Sequence, residues 1–116
     1  MQKPAVAVVV IESTEVRQSV TITLEAEGWV VLPLEDAAEL FDFIEFLREN
    51  PLRLGAPRLV VTEPGLPGPS LFEVIAWARV CGLTLPFIVL TPDDDDDAKE
   101  RARSLGAVEL KPSLAA

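Results

Sequence analysis

The stretch Ala5-Val-Ala-Val-Val-Val-Ile11 decides the fold class of this chain. It is an unbroken run of apolar, mostly β-branched residues, and such runs are typical of parallel strands that are buried on both faces. A strand buried on both faces needs helices above and below its sheet, so the run predicts an α/β architecture. It is far too short to cross a bilayer, and it does not follow the pattern of a secretory signal. We therefore expect a cytoplasmic protein without a membrane partner.

Further apolar runs follow, and helix-forming segments alternate with them. The predicted strands are Ala5–Ile11, Trp29–Leu34, Leu59–Thr62, Pro86–Thr91 and Val108–Leu110. The predicted helices are capped at Ser13 or Thr14, at Asp36 with Glu39, at Ser70 with Glu73 and by the acids Asp93–Asp97, and they end near Gly28, Asn50, Cys81 and Gly106. Strands that alternate with helices over short connections predict a doubly wound parallel sheet with right-handed crossovers.

The second and third predicted helices carry large apolar side chains. In the second helix, one arc of the helical wheel holds Leu40, Phe41, Phe43, Ile44 and Leu47. Phe46 falls outside that arc, so it packs under the linker 51–57 with Leu52 and Leu54 or forms part of a partner surface. In the third helix, Val74, Ile75 and Trp77 are predicted to lie in the core.

Composition narrows the possible chemistry. The 116 residues show one composition throughout, with 49% hydrophobic residues, and so predict a single domain over 1–116. Cys81 is the only cysteine and histidine is absent, which excludes intrachain disulfides, thiolate or imidazole zinc sites and histidine-based triads. The net charge of −9 disfavours direct nucleic-acid binding and anionic lipid, and it favours a protein partner or a cation.

Ligands of doubly wound sheets bind at the carboxyl ends of the strands. The residues just past the apolar runs include Glu12, Glu63, Thr91 and Lys111. Two carboxylates, a hydroxyl and a lysine at one edge of the sheet suggest a site for a metal ion and a phosphoryl group.

These segments, taken in order, resemble a CheY-like receiver domain of a response regulator. The stretches that carry the resemblance are Glu12-Ser-Thr-Glu-Val-Arg17, Leu59-Val-Val-Thr-Glu-Pro-Gly-Leu-Pro-Gly68, Phe87-Ile-Val-Leu-Thr91, Gly106-Ala107 and Lys111-Pro112. The resemblance implies a flavodoxin-like sheet of order 2-1-3-4-5. It implies a phosphoacceptor position at Glu63 and a metal pocket at Glu12, Glu63 and Gly65. It also implies phosphoryl contacts from Thr91 and Lys111, with a cis bond between Lys111 and Pro112.

The sequence departs from the family at the positions that carry its chemistry. Glu63 stands where the family has its phosphoaccepting aspartate, and displacement of a reacting group by about 1 Å can cost about a hundredfold in rate. Ile11 stands at the first position of the acidic pair and supplies no oxygen to Mg²⁺. We therefore predict a degenerate receiver, or pseudo-receiver, that acts through protein contacts, is not an enzyme, and needs no cofactor beyond at most weak Mg²⁺ binding.

The sequence leaves alternatives open both for the role of Glu63 and for the function of the domain. Glu63 either pairs with Lys111, imitating part of a phosphorylated state, or is a solvated loop acid. The domain could instead be a working receiver in which Glu12 and Glu63 hold Mg²⁺. A small carboxylate-dependent phosphohydrolase is a third reading, weakened because no separate general acid is visible.

The family ends with a fifth helix, but only Pro112-Ser-Leu-Ala-Ala116 follows Lys111 here. Either the chain is a piece of a longer protein, or the sheet face beside the first helix lacks part of its cover. A contiguous apolar face on the order of several hundred Å² is rare on a monomer, so we expect a homodimer.

Overall fold

The computed structural model describes residues 5–50, 59–92 and 94–110. Strands and helices alternate along these residues, as the apolar runs predict. The strands are β1 (Val6–Val10), β2 (Val30–Leu34), β3 (Leu59–Thr62), β4 (Phe87–Leu90) and β5 (Val108–Leu110). The helices are α1 (Thr14–Ala26), α2 (Ala37–Glu49), α3 (Leu71–Val80) and α4 (Asp96–Ser104).

The strands form one parallel sheet with β1 near its centre. β1 pairs with β2 on one side and with β3 on the other, and β4 follows β3, so the predicted order β2-β1-β3-β4 is confirmed. The three-residue strand β5 extends the sheet beyond β4, with Leu90 opposite Leu110. The carboxyl ends of all these strands therefore lie along one edge of the sheet.

The two faces of the sheet are covered unequally. In β1, Val8 and Val10 face a large core that α2, α3 and α4 complete, whereas Val9 faces a smaller cluster completed by α1. This alternation confirms that β1 is buried on both faces. On the α1 side, Ile88 lies opposite Val108, and Val108 keeps 56% of its surface exposed.

Side-chain caps begin three of the four described helices. Ser13 caps α1, Asp95 caps α4, and at α2 the Oδ1 of Asp36 accepts a hydrogen bond of 2.9 Å from the Glu39 N–H. In return, the Glu39 carboxylate accepts a hydrogen bond of 2.6 Å from the Glu35 N–H. In the usual capping box this donor is the N–H of the cap residue itself, so the donor here lies one residue earlier. Ser70 occupies the cap position of α3 without a side-chain hydrogen bond, so the capping box predicted there is wrong.

The contact between α2 and α3 corrects one core prediction, that of Trp77. Val74 and Ile75 are buried as expected, but Trp77 is only half-buried and Phe41 is 36% exposed. Their rings stack at a centroid distance of 6.4 Å on the outer side of the two helices. The indole N–H of Trp77 donates to Glu45 on α2 at 2.5 Å, so the seam between the helices is partly polar.

Arg79 holds together the ends of α3 and α4. Its Nη1 donates to the carbonyl oxygens of Leu83 and Leu85 at 3.2 and 2.8 Å, and its Nε donates to that of Leu105 at 3.2 Å. Its guanidinium also lies 5.4 Å from the centroid of the Phe87 ring. The orphan carbonyls of these turns are thus satisfied by one planar, multidentate donor.

Several expectations fall on parts of the chain that are not described. These are the structure of the linker 51–57, the peptide bond before Pro112, and everything after Leu110. Within the described ranges, no helix is long and apolar enough to cross a membrane.

Replacing Arg79 with alanine should lower the free energy of unfolding by about 2 kcal/mol, because a hydrogen bond to a charged group contributes roughly 1.5–3 kcal/mol. Urea denaturation followed by circular dichroism measures the change. Arg79→Lys should recover only part of it, since one ammonium cannot reach three carbonyl groups with the geometry of a guanidinium. An unchanged midpoint in Arg79→Ala would contradict this role.

The contact between Glu45 and Trp77 should respond to acid. Hydrogen bonds from Arg48 and Trp77 lower the pKa of Glu45 below its ordinary value of 4.5. The contact is therefore complete above pH 4.5 and is lost only as the pH falls through the lowered pKa. In a Trp29→Phe background, the emission of Trp77 should titrate with a midpoint below 4.5, and Glu45→Gln should abolish that step. A midpoint at or above the ordinary value would refute the assignment.

Candidate functional site

The carboxyl ends of β1 and β3 meet through Glu12 and Glu63. The backbone N–H of Glu12 donates a hydrogen bond of 2.8 Å to Oε1 of Glu63. Glu63 is half-buried and Glu12 is exposed. One oxygen of the Glu63 carboxylate is thus already engaged with the loop that follows β1.

The residue before Glu12 belongs to the core. Ile11 is completely buried and packs with Val9, Val20, Val61 and Leu90 on the α1 side of the sheet. At the position where the family resemblance implies an acid, the side chain of this residue is purely apolar. The position therefore contributes to stability and offers no ligand atom from its side chain.

Arg17 contacts the residues at the end of β1 through its guanidinium. Its Nη1 donates to the carbonyl oxygen of Ile11 at 3.0 Å, and its Nη2 donates to Oγ1 of Thr14 at 3.4 Å. The Ser13 carbonyl accepts the Arg17 N–H, as the first turn of α1 requires. Arg17 thereby ties the start of α1 to the end of β1.

Two threonine hydroxyls lie buried at the ends of β3 and β4. Thr62 is completely buried and Thr91 is 1% exposed. Among the residues that the structure describes, neither Oγ1 has a hydrogen-bond partner. A buried hydroxyl without a partner is unfavourable by about 1–3 kcal/mol, so each is a group that an incoming acceptor or donor could satisfy.

The loop after β3 is shaped by glycine. Gly65 has a φ of +85°, in the left-handed region that side chains rarely adopt, and it follows Glu63 by two residues. Gly65 lines an open cavity of about 330 Å³ between this loop and the start of α4. Opposite the loop, the Arg101 guanidinium lies 4.4 Å from the centroid of the Phe72 ring, which holds α4 against α3.

The carboxylates of this edge do not form a metal-binding cluster. Within 5–50, 59–92 and 94–110, no group of three acidic or thiol side chains comes close enough together to hold a metal ion. Glu12 and Glu63 are the two acids at the ends of β1 and β3, and Oε1 of Glu63 already accepts the Glu12 N–H. Among the described side chains, this edge therefore offers a cation two carboxylates, and one oxygen of the Glu63 carboxylate is already engaged.

The structure brings together part of the predicted site. Glu12 and Glu63 are joined by a hydrogen bond, and Gly65 and Thr91 lie at the ends of β3 and β4 at the same edge. Lys111 and Pro112 lie outside the described residues, so the predicted pairing of Glu63 with Lys111 stays a prediction.

Two residues of this edge were missed by the sequence reasoning. Arg17 lies one turn after the cap of α1. Because side chains in a helix point toward its N-terminus, a long side chain at this position can contact the end of β1. Thr62 shares a strand face with Val60 two residues earlier, so alternation alone places its hydroxyl in the apolar layer.

Comparison with known proteins identifies the fold. No family model matches this chain, and no curated protein matches it. Among solved structures, it is similar to the chemotaxis response regulator CheY4 of Vibrio cholerae, with a TM-score of 0.73, 20% identity, and coverage of 97% of this chain and 93% of that one.

Two further structures agree with that comparison. A response regulator receiver protein from Pseudomonas putida gives a TM-score of 0.68, 18% identity, and coverage of 95% and 86%. The receiver domain of the Arabidopsis thaliana histidine kinase CKI1 complexed with Mg²⁺ gives 0.78, 17%, 95% and 84%. The chain has the fold of the CheY-like receiver domains of response regulators.

Proposed function

We propose that this chain is a pseudo-receiver, a signalling module that acts through protein contacts without accepting a phosphoryl group. The observation that carries the proposal is the hydrogen bond from the Glu12 N–H to Oε1 of Glu63. The carboxylate that would have to attack phosphorus is held by the backbone of the neighbouring loop. It serves the fold by joining the ends of β1 and β3.

The length of the glutamate side chain supports the same conclusion. In-line attack requires a carboxylate oxygen within about 3–3.5 Å of phosphorus in a defined direction, and an error of about 1 Å can cost about a hundredfold in rate. Glu63 carries one methylene more than the aspartate that the family resemblance implies. Its carboxylate is therefore displaced, and the bond to Glu12 holds it there.

The donor set around Glu63 supports a module that does not depend on Mg²⁺. A phosphoryl group approaching a carboxylate needs a cation to offset the combined negative charge. Buried Ile11 offers no side-chain oxygen, and Arg17 is directed to the Ile11 carbonyl.

One observation favours a second candidate, a working receiver. The hydroxyl of Thr91 is buried at the end of β4 and lacks a partner among the described residues. A phosphoryl oxygen at the sheet edge could accept a hydrogen bond from it. This candidate requires the Glu63 carboxylate to give up its hydrogen bond with the Glu12 N–H. Incubation with acetyl phosphate distinguishes a working receiver from a pseudo-receiver.

Incubation of the purified chain with acetyl phosphate and Mg²⁺ should produce no increase in mass, because Glu63 is misplaced for attack and Ile11 weakens the metal pocket. Intact-protein mass spectrometry measures the result. Emission from Trp29 and Trp77 should also change little when Mg²⁺ is added alone.

The matched variant for this experiment is Glu63→Gln, which keeps an oxygen able to accept the Glu12 N–H and removes the nucleophile. A phosphoryl adduct on the natural chain that disappears in Glu63→Gln would show a working receiver with an unusual acceptor. An adduct present in both would place the acceptor elsewhere.

We also propose that the α1 side of the sheet joins two copies of the chain. A groove of about 140 Å³ runs there, and its lining carries no charged side chain: Val20, Thr23, Leu24, Leu59, Val61, Ile88 and Leu90. Val108 continues this apolar surface on β5, opposite Ile88. In a chain of net charge −9, an uncharged face is where two identical copies can meet without opposing like charges.

Light scattering at micromolar concentration should therefore give the mass of a dimer. Val108→Asp should shift that mass toward the monomer, because it would place two like charges at the dimer interface. The matched control is Val80→Asp, the same substitution at a valine of α3 that is 75% exposed. It should leave the dimer intact. A monomeric natural chain, or equal effects of both variants, would count against this assignment.

A further inference from the structure

We propose that the outer surface of α2 and α3 docks a cationic amphipathic segment of a partner protein. This surface, the α2–α3 face, is defined by Phe41, Trp77 and Val80. Its acidic border is Glu45, which contacts Trp77, and three acids one helical turn from Glu45 or Trp77, namely Asp42, Glu49 and Glu73. It lies on the outside of helices whose opposite sides build the large core. The proposal does not rest on whether Glu63 accepts a phosphoryl group.

Large apolar side chains on this face are exposed to solvent. Val80 is 75% exposed, Phe41 is 36% exposed, and Trp77 is half-buried against it. The stacked rings of Phe41 and Trp77 join the two helices into one continuous surface. Aromatic residues that are partly buried and still accessible are typical anchors of protein interfaces.

The aromatic pair is held in position before any partner arrives. Glu45 accepts from the Trp77 indole at 2.5 Å and from Nη2 of Arg48 at 2.8 Å. These bonds lower the pKa of Glu45, so its carboxylate stays ionised at neutral pH and keeps the indole oriented. An anchor that is already ordered loses less conformational entropy on binding.

The border of the face is acidic. Asp42, Glu49 and Glu73 are exposed, and Glu45 adds a fourth carboxylate beside the rings. The two helices hold two cations. Arg48 pairs with Glu45 at 2.8 Å and lies 4.0 Å from Glu49, and Arg79 donates to backbone carbonyls. Four carboxylates thus face one cation that pairs with them. The face is therefore negatively charged around an apolar centre.

This charge pattern identifies the kind of partner. Lysine and arginine can pair with the border, and their cationic groups can also lie over the face of Trp77. Trp77 and Val80 lie one turn apart on α3, so a segment with apolar and basic residues at helical spacing matches the repeat. A second copy of this chain does not match, since its own acids would face those of the first.

The test uses the full chain carrying Trp29→Phe, so that Trp77 alone reports binding. The probe is a synthetic helical peptide of leucine and lysine with apolar residues on one face, and its control has glutamate in place of lysine. We expect saturable binding of the lysine peptide, weakened by salt, and no binding of the glutamate peptide. Backbone amide shifts should change mainly in α2 and α3.

Matched variants separate this face from general attraction to an acidic protein. Val80→Ser and Glu73→Lys should each weaken binding by about tenfold, as loss of an anchor or of a charge at an interface does. Ile22→Ser and Glu25→Lys make the same changes on α1, where Ile22 is 67% exposed, and should leave the affinity unchanged. Far-ultraviolet circular dichroism of each variant confirms that it remains folded.

Three outcomes would overturn the proposal. Equal effects of the α1 and α3 variants would show charge attraction without a defined site. Amide shifts centred outside α2 and α3 would place the site elsewhere. Self-association of the natural chain that Val80→Ser abolishes would show that the face pairs with a second copy.

Discussion

Burial of β1 on both of its faces is the constraint on which the rest of the structure depends. β1 pairs with β2 and β3, so it cannot lie at an edge, and its valines alternate between two separate cores. A strand in this position requires helices on both sides of the sheet, which only crossover connections can supply. The same pairing brings the loop after β1 beside the loop after β3, and the site exists because of that proximity.

At the carboxyl end of the sheet, where β1 and β3 meet, three residues make contacts that stabilise the fold. Ile11 extends the α1-side core, Arg17 satisfies a backbone carbonyl, and Glu63 accepts a backbone N–H. Each of these contacts stabilises the carboxyl end of the sheet, either by burial in the core or by satisfying a backbone group. The buried hydroxyls of Thr62 and Thr91 are the part of the edge that the described contacts leave unsatisfied.

The two faces of the sheet are covered by different numbers of helices, and the surfaces that result differ in charge. The α1 side has one described helix and leaves apolar strand residues partly open, with no charge in the groove. The opposite side has three helices, and two of them, α2 and α3, carry acids on the same helices as the stacked Phe41 and Trp77. On our proposals, the first surface would pair with an identical copy and the second with a basic partner.

Local pattern was sufficient to predict the order and approximate bounds of every described strand and helix, because apolar runs and cap residues act over a few positions. It also placed Glu12, Glu63 and Thr91 at one edge, since parallel strands share their carboxyl ends. The hydrogen bond between Glu12 and Glu63 joins residues 51 positions apart, and no local pattern specifies it.

The exposed stack of Phe41 on Trp77 was likewise decided only by the tertiary structure. Helical periodicity assigns a residue to a face of its own helix, but the packing of α2 beside α3 determines whether that face is covered. Sequence by itself therefore determined the layers of this protein. Only the tertiary structure decided which polar groups meet at the site and which apolar groups remain open, because both depend on contacts between elements distant in the chain.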